Sequence, residues 1–463
     1  MFRRRMIMKK LFKLAIILVL LLTLPLYMVM AGGKKEEAKP EGEKAAEETG
    51  NLERYKLSEK PVVIDFYFVV GVAGPLAQVI DGMVEEFNNT HQKILVQPVY
   101  AGNYNQTMTK VQSAILSGIP PDVFVVEISE LYTLLAIDGI IPLDKYIEKE
   151  GGDTFTGQYF DALYGNARAE GKIWGQPFQR STPILYWNKD MFAANADRLK
   201  AAGLDPTRAP QNWDELEKAS TILTDREKGI WGVILPGGWN DWIFEAFVYQ
   251  NGGKLISKDA EKSHFDSPQV LEALKFWYKL TNELKVSPPL RPWNQTPIDF
   301  SSGHAAMMYY STGGLPLVRK QSNFDFGTAF QPKKVQYGTP VGGGDFHISK
   351  GIPPENQDAA WEFIKWMTSP EMAAFWSRES GYICINKKGL DLPEMKKYLE
   401  EFPNAKVAAE QLEYSFPKIM APNFQEIRKV FVANLDAMMQ GQQSPEETQK
   451  KLHTSVQKIL DEY

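Results

Sequence analysis

A chain of 463 residues is long enough for two or three domains, since globular domains usually span about 100–200 residues. Its 44% hydrophobic, 12% aromatic and 24% charged residues exclude a collagen-like, coiled-coil or wholly disordered protein, and a single cysteine, Cys384, excludes an internal disulfide. The first 31 residues hold six basic and no acidic residues, so the remainder has 46 basic against 57 acidic residues. This net charge of −11 disfavours nucleic-acid binding, which needs a basic surface.

Residues 1–31 are typical of a signal peptide for export. The basic residues precede an apolar run from Leu14 to Met30, and Val29-Met30-Ala31 has small or branched residues where signal peptidase cleaves. An uncleaved membrane anchor is the alternative, because a run of about 17 apolar residues can just span a bilayer. In either case we expect a periplasmic or extracellular protein.

Residues 32–57 predict a disordered tether. The segment begins with Gly, Lys, Glu, Ala and Pro and cannot bury enough apolar surface to offset the entropy lost on ordering. The leader and tether together resemble a bacterial lipoprotein leader, but Ala31 stands where the lipid-bearing cysteine would be. We therefore expect no lipidation at this leader.

From Pro61 onward, patterns of strand and helix alternate. Strands are predicted at Val62–Val70, Ile94–Tyr100 and Val123–Ile128, and helices at Pro75–Asn88, Tyr104–Leu116 and Leu131–Ile137. This alternation predicts right-handed βαβ units around a largely parallel sheet. Ligands bind beyond the carboxyl ends of strands in such sheets, and Tyr104 and Glu127 fall at those ends.

The second half of the chain is also mixed. Extended segments are predicted at Ala305–Tyr310, Phe324–Phe330 and Asp345–Ser349, and helices at Trp213–Leu223, Pro268–Leu284, Asn356–Ser377, Gln425–Met439 and Pro445–Leu460. The mixture predicts two lobes, with the chain crossing between them more than once.

Five short segments carry a family resemblance. They are GQPF at 175–178, STPILYWNKD at 181–190, AGLDP at 202–206, NWDEL at 212–216 and FSSGHAAM at 300–307. In this order they resemble the extracellular solute-binding proteins of family 1, the capture subunits of carbohydrate ABC importers. The resemblance implies an α/β, two-lobed periplasmic-binding-protein-like fold (type II) with a hinge and a ligand cleft between the lobes. It implies one lobe at 58–183 plus 347–410 and the other at 186–344 plus 411–463.

Within that family the chain looks most like the glycerol-3-phosphate-binding subgroup. The resemblance implies nine ligand-binding residues: Tyr104, Glu127, Ser181, Trp239, Trp242, Ser311, Gly343, Tyr382 and Arg428. Arg428 suits a phosphate, Glu127 suits adjacent hydroxyls, and the tryptophans offer flat apolar faces to a carbon skeleton. One departure from the subgroup is Arg180, which predicts an extra cation near the mouth of the pocket.

These residues also have ordinary explanations. An arginine in a C-terminal helix usually pairs with a carboxylate, tryptophans three apart on a helix are more often core, and Gly342–Gly344 suits a hinge or tight turn. Glu127 at a strand end suits a cap for the helix that follows.

The implied mechanism is capture of a solute, not catalysis, and it needs no cofactor and no metal. We expect a monomer that delivers a phosphorylated polyol or sugar, most simply glycerol 3-phosphate or a glycerophosphodiester, to the membrane permease of an ABC importer. A binder of a neutral disaccharide or oligosaccharide is the first alternative, since eleven tryptophans suit sugar stacking equally well. A secreted glycoside hydrolase is the second, with Glu127, Asp241 and Asp345 as candidates for a carboxylate pair about 5–10 Å apart.

Overall fold

The structure is a computed structural model that describes residues 55–72 and 75–462. The predicted signal peptide at 1–31 and most of the predicted tether, residues 32–54, lie outside these described residues. Within the described ranges, every helix is too short or too polar to cross a lipid bilayer.

The strands of the described chain form two main sheets and two small ribbons. They are β1 Val62–Phe68, β2 Ile94–Tyr100, β3 Val123–Glu127, β4 Arg168–Ala169, β5 Lys172–Ile173, β6 Gln176–Ser181, β7 Pro183–Asn188, β8 Met307–Ser311, β9 Phe326–Ala329, β10 Thr339–Pro340, β11 Gly342–Ile348 and β12 Ser415–Phe416. The first sheet has the order β2-β1-β3-β11-β6, and the second has the order β8-β7-β9.

The α-helices pack around these sheets. They are α1 Leu76–Thr90, α2 Tyr104–Leu116, α3 Leu131–Ala136, α4 Asp144–Lys149, α5 Asp153–Thr156, α6 Lys189–Ala194, α7 Ala196–Ala201, α8 Trp213–Leu223, α9 Asn240–Gln250, α10 Pro268–Tyr278, α11 Thr296–Ser301, α12 Leu315–Gln321, α13 Pro354–Met367, α14 Pro370–Ser380, α15 Pro393–Glu401, α16 Val407–Glu410, α17 Phe424–Met439 and α18 Pro445–Asp461.

The first sheet is only partly parallel. Strands β2, β1 and β3 run parallel, as the βαβ pattern predicts, whereas β11 pairs antiparallel with both β3 and β6. The second sheet is wholly antiparallel. The prediction of a largely parallel sheet therefore holds for the first three strands alone, because β6 and β11 enter the sheet from distant parts of the chain.

Two large apolar cores divide the described chain. The first core draws on residues between Ile64 and Phe178 and between Val341 and Leu412. The second core draws on residues between Ile184 and Phe326 and between Phe402 and Leu460. The half-buried Trp239 packs against both cores, so it marks the region where they meet.

The single helix predicted over Asn356–Ser377 is wrong, because two helices replace it. Helix α13 ends at Met367 and α14 begins at Pro370. Ser369 adopts an extended conformation, and its side chain accepts a hydrogen bond from the Met372 amide at 3.3 Å. Proline disfavours a helical residue before it and suits the first turn of a new helix, so the break follows from Ser369-Pro370.

Candidate functional site

A small cavity between the two cores gathers eight of the nine predicted ligand residues. We call it the inner cavity; its volume is about 30 Å³. The predicted residues on its wall are Tyr104, Glu127, Ser181, Trp239, Trp242, Ser311, Gly343 and Tyr382. The rest of the wall is formed by Gly71, Val72, Trp293, Gly342 and Lys418.

The start of α2 places Tyr104 at this cavity. Gly102 has φ +106°, a conformation that favours glycine, and Asn103 follows as the N-cap. The Asn103 side chain accepts from the Gln106 amide, and the Gln106 side chain accepts from the Asn103 amide, each at 3.0 Å. This capping box fixes the first turn, and the Tyr104 hydroxyl then donates to Gln179 Oε1 at 3.2 Å.

The ends of two strands, one from each main sheet, place two more polar side chains on the wall of the inner cavity. Glu127 ends β3 and Ser311 ends β8. Each side chain accepts a backbone N–H two residues onward, Glu127 from Ser129 at 3.0 Å and Ser311 from Gly313 at 3.1 Å. The capping explanation for Glu127 is therefore compatible with a place on the cavity wall, because only Oε2 serves as the cap.

Gly342 and Gly343 open strand β11 rather than forming a separate turn. Gly343 has φ +102°, and a Cβ built there would lie 1.5 Å from the carbonyl oxygen of Gln179. A Cβ on Gly342 would lie 2.4 Å from Cζ2 of Trp242. Only glycine at both positions lets β11 approach β6 and the indole this closely.

Aromatic rings cover one side of the inner cavity. Trp239 and Trp242 each lie 6.4 Å from Trp293 between ring centroids, and Tyr104 meets Trp239 edge to face at 5.9 Å. The Trp242 indole N–H donates to the Pro340 carbonyl at 3.2 Å, so Trp242 offers the cavity its ring rather than a donor. Trp293 was missed by sequence reasoning, because an isolated Pro-Trp pair carries no signal for a site.

Arg428 lies beside the inner cavity rather than on its wall. It lines a second, larger cavity of about 650 Å³, the outer cavity, which shares Gly71, Val72, Trp239 and Trp293 with the inner one. Its Nε donates to Asp241 Oδ2 at 3.1 Å, its Nη2 donates to the Gly238 carbonyl at 2.5 Å, and its guanidinium lies 3.8 Å from the centre of the Trp239 ring. Arg428 therefore forms the ion pair with a carboxylate, here that of Asp241, that is expected of an arginine with a purely structural role.

Lys418 is a cation on the inner cavity wall that sequence reasoning missed. Its side chain is 1% exposed, and its Nζ donates to Glu127 Oε1 at 3.0 Å. Its backbone exchanges two hydrogen bonds with the Asn166 side chain, at 2.9 and 3.0 Å. A lone lysine outside a predicted element is normally solvated, and the apolar neighbours Pro417 and Ile419 were the only local signal for burial.

Two further carboxyl groups are buried near this lysine. Burial raises the pKa of Glu245 to about 8, against an opposing effect of Lys418, and Glu245 Oε1 accepts the Ile419 amide at 2.8 Å. Burial and the charge of Glu127 raise the pKa of Glu130 to about 7, and Glu130 accepts a hydrogen bond from the Gln425 side chain. Burial therefore favours the neutral form of each of these carboxyl groups more than in a solvated glutamate.

The expectation of an extra cation at the pocket mouth is wrong. Arg180 is 0% exposed and belongs to β6, where neighbouring side chains point to opposite faces. Gln179 faces Tyr104, whereas the Arg180 guanidinium points away and bonds Asp345 Oδ2 at 2.8 Å and the Leu163 carbonyl at 2.6 Å. Arg180 and Asp345 thus form a buried ion pair between β6 and β11 of the first sheet.

Comparisons with known proteins agree with this architecture. Residues 82–404 match the family model for the bacterial extracellular solute-binding proteins. The sn-glycerol-3-phosphate-binding periplasmic protein UgpB of Shigella flexneri serotype 5b is 28% identical over 406 residues, which cover 83% of this chain and 89% of that protein.

Solved structures give the same result for the fold. UgpB from Mycobacterium tuberculosis, in complex with glycerophosphocholine, superposes with a TM-score of 0.76 at 24% identity and covers 88% of this chain and 99% of its own. Maltose-bound MalE3 of T. maritima has a TM-score of 0.72 at 21% identity and covers 86% of this chain and all of its own. The predicted family resemblance and the predicted two-lobed α/β fold class are confirmed.

Proposed function

Because the chain belongs to the bacterial extracellular solute-binding proteins, we propose that it captures glycerol 3-phosphate or a glycerophosphodiester and delivers it to the permease of an ABC importer. One observation carries the proposal: hydroxyls, a carboxylate and aromatic rings from both cores meet in the inner cavity. The lobe limits inferred from the sequence stay a prediction, as do the signal peptide and the tether.

The donor set of the inner cavity suits a phosphate ester of a small polyol. Ser181, Ser311 and Tyr382 provide hydroxyl donors for phosphate oxygens, and Gly343 lets the backbone come close to them. Glu127 provides a carboxylate that accepts hydrogen bonds from neighbouring hydroxyls of the polyol. Trp239 covers the carbon skeleton with an apolar face.

Closure of two lobes around the solute explains why such a small cavity serves as a binding site. A volume of about 30 Å³ is too small for a glycerophosphate, so the solute enters only when the walls separate. Contacts from both cores then tighten around it, and the closed form is the one that the permease recognises. Arg428, across Trp239 in the outer cavity, adds a cation at the edge of the enclosed solute.

A neutral disaccharide is the second candidate, because three tryptophans surround the same cavity. Calorimetric titration of the protein with glycerol 3-phosphate, glycerophosphocholine and maltose separates the two. We expect binding of at least one glycerophosphate and none of maltose. Binding of maltose alone would replace the proposal with the sugar-binding alternative.

Two tyrosines in similar settings provide a matched pair of variants. Tyr382→Phe removes a hydroxyl from the inner cavity, whereas Tyr309→Phe removes a buried hydroxyl from the second core, away from that cavity. A hydrogen bond to a charged group contributes about 1.5–3 kcal/mol, so Tyr382→Phe should weaken glycerophosphate binding by at least about tenfold. Equal affinities of the two variants would place the phosphate elsewhere.

Arg428→Ala tests the remaining predicted residue. We expect the affinity for either glycerophosphate to fall by at least about tenfold, since a cation next to the enclosed anion is lost. Unchanged affinity would remove Arg428 from the site and leave its pairing with Asp241 as its structural role.

A further inference from the structure

Of the two cations Lys418 and Arg428, only Lys418 lies on the wall of the inner cavity, where the hydroxyls proposed to bind phosphate also lie. Lys418 lines the inner cavity together with Ser181, Ser311 and Tyr382, whereas Arg428 lines only the outer cavity. The Lys418 ammonium also lies 5.4 Å from the Trp239 ring centre and 5.1 Å from that of Phe424. A positive charge therefore stands on the wall of the space that the solute must enter.

Lys418 has hydrogen-bonding capacity left over. An ammonium group carries three N–H donors, and among the described residues one of them is used, on Glu127 Oε1. The other oxygen of Glu127 accepts the Ser129 amide. A buried ammonium without acceptors is costly, and its two remaining donors therefore favour a ligand that brings negatively charged oxygens.

Arg428 is better satisfied than Lys418. Its donors reach Asp241, Gly238 and, at 3.5 Å, Asn105, and its flat face rests on Trp239. Glu245 does not cancel the lysine charge in the same way, because burial raises its pKa to about 8 and favours its neutral form near pH 7. Glu127 is thus the main compensating charge for Lys418.

We propose that Lys418 binds an anionic oxygen of the solute and makes the site prefer a phosphate monoester over a phosphate diester or a neutral polyol. A monoester carries close to two negative charges above its second pKa of about 6, whereas a diester carries one. The additional charge interacts with the Lys418 ammonium, whose side chain is almost fully buried, and charge-assisted hydrogen bonds are strongest where water is excluded. This inference rests on the proposed function and specifies the solute class within it.

A set of four proteins tests the proposal: the native chain, Lys418→Met, Glu127→Gln and the double variant. The double variant removes both charges of the pair, so it avoids leaving a buried carboxylate without its partner. Lys397→Met, at a lysine whose side chain is 75% exposed, serves as the control for loss of a positive charge. Each protein is titrated calorimetrically with glycerol 3-phosphate, glycerophosphocholine and maltose at pH 7.5, after thermal unfolding shows that it is folded.

The readout is the ratio of affinities for the monoester and the diester. In the native chain and in Lys397→Met we expect the monoester to bind at least about tenfold more tightly. Glu127→Gln should keep or increase this ratio, because the lysine charge is no longer compensated. The double variant should lose most of this ratio. Removal of the Glu127 carboxylate weakens the binding of both ligands, and such a shared loss does not change the ratio.

The outcomes separate this inference from the proposed function. A double variant that binds glycerophosphates with the native ratio overturns the role of Lys418 and leaves the proposed function intact. A native chain that prefers the diester overturns the role of Lys418 in the same way. A native chain that binds neither glycerophosphate overturns both.

Discussion

Gly343→Ala should disrupt the connection between β6 and β11 on which the inner cavity depends. Two costs add at this position. A left-handed conformation costs a non-glycine residue about 1–2 kcal/mol. In addition, the new Cβ would lie 1.5 Å from the Gln179 carbonyl oxygen, so the strands must separate. Each hydrogen bond lost on separation costs a further ~1 kcal/mol, giving an expected loss of about 3–5 kcal/mol in the free energy of unfolding.

Gly171→Ala is the matched control for this variant. Gly171 also has a positive φ, +73°, but nothing lies within 4 Å of a Cβ built there. Its alanine variant therefore carries only the conformational cost of about 1–2 kcal/mol. Urea-induced unfolding followed by circular dichroism measures both losses, and titration with glycerol 3-phosphate measures the effect on the site.

The comparison between these two variants can refute the reasoning. If both lose the same stability, the close approach of Gly343 to Gln179 contributes nothing, and the reasoning about this contact is refuted. If Gly343→Ala loses stability as expected but binds glycerol 3-phosphate with native affinity, the glycine serves the sheet and has no part in the site.

Three further variants or measurements test buried groups. Glu245→Gln should be more stable than the native chain at pH 8 but not at pH 4. The raised pKa of the Glu245 carboxyl group makes the stability of the native chain fall as pH rises from about 4.5 to about 8, and glutamine does not titrate. Thermal unfolding measured across that pH range checks this prediction. Cys384, whose pKa burial raises to about 12, should react with a thiol reagent at pH 8 far more slowly in the folded than in the urea-unfolded protein. Arg180→Met should cost about 3–5 kcal/mol in urea unfolding, and Arg180→Met with Asp345→Asn should recover part of it.

The local pattern of the sequence predicted the regular elements well. Strand β2, helix α2 and helix α8 have the predicted limits, because each has a clear period of apolar residues and a polar or glycine boundary. The antiparallel entry of β11 between β3 and β6 was not predictable, since strand partners far apart in the chain leave no local pattern. The helix break at Ser369-Pro370 was predictable from the Ser-Pro pair. The prediction of one continuous helix instead followed the aromatic residues that recur on both sides of this pair.

The candidate site was predicted less evenly than the fold. Residues at the ends of strands lie on the inner cavity because local geometry places them there: Glu127 ends β3, Ser311 ends β8, and Gly343 lies at the start of β11. Arg180 and Lys418 were misjudged or missed because burial of a charge depends on a distant partner, Asp345 in one case and Glu127 in the other. Such pairings arise from tertiary structure, and the sequence around each cation gives no sign of them.

The pairing of the carboxylates also bears on the choice between capture and hydrolysis. A glycoside hydrolase needs one protonated and one ionised carboxyl group, both facing the sugar with free oxygens. Of the three candidates, Asp345 is paired with Arg180 within the first sheet, and Asp241 is paired with Arg428. Glu127 alone lines the inner cavity, with one oxygen on Lys418 and the other on the Ser129 amide. This arrangement suits the proposed capture of a solute by hydrogen bonds and charge better than it suits hydrolysis.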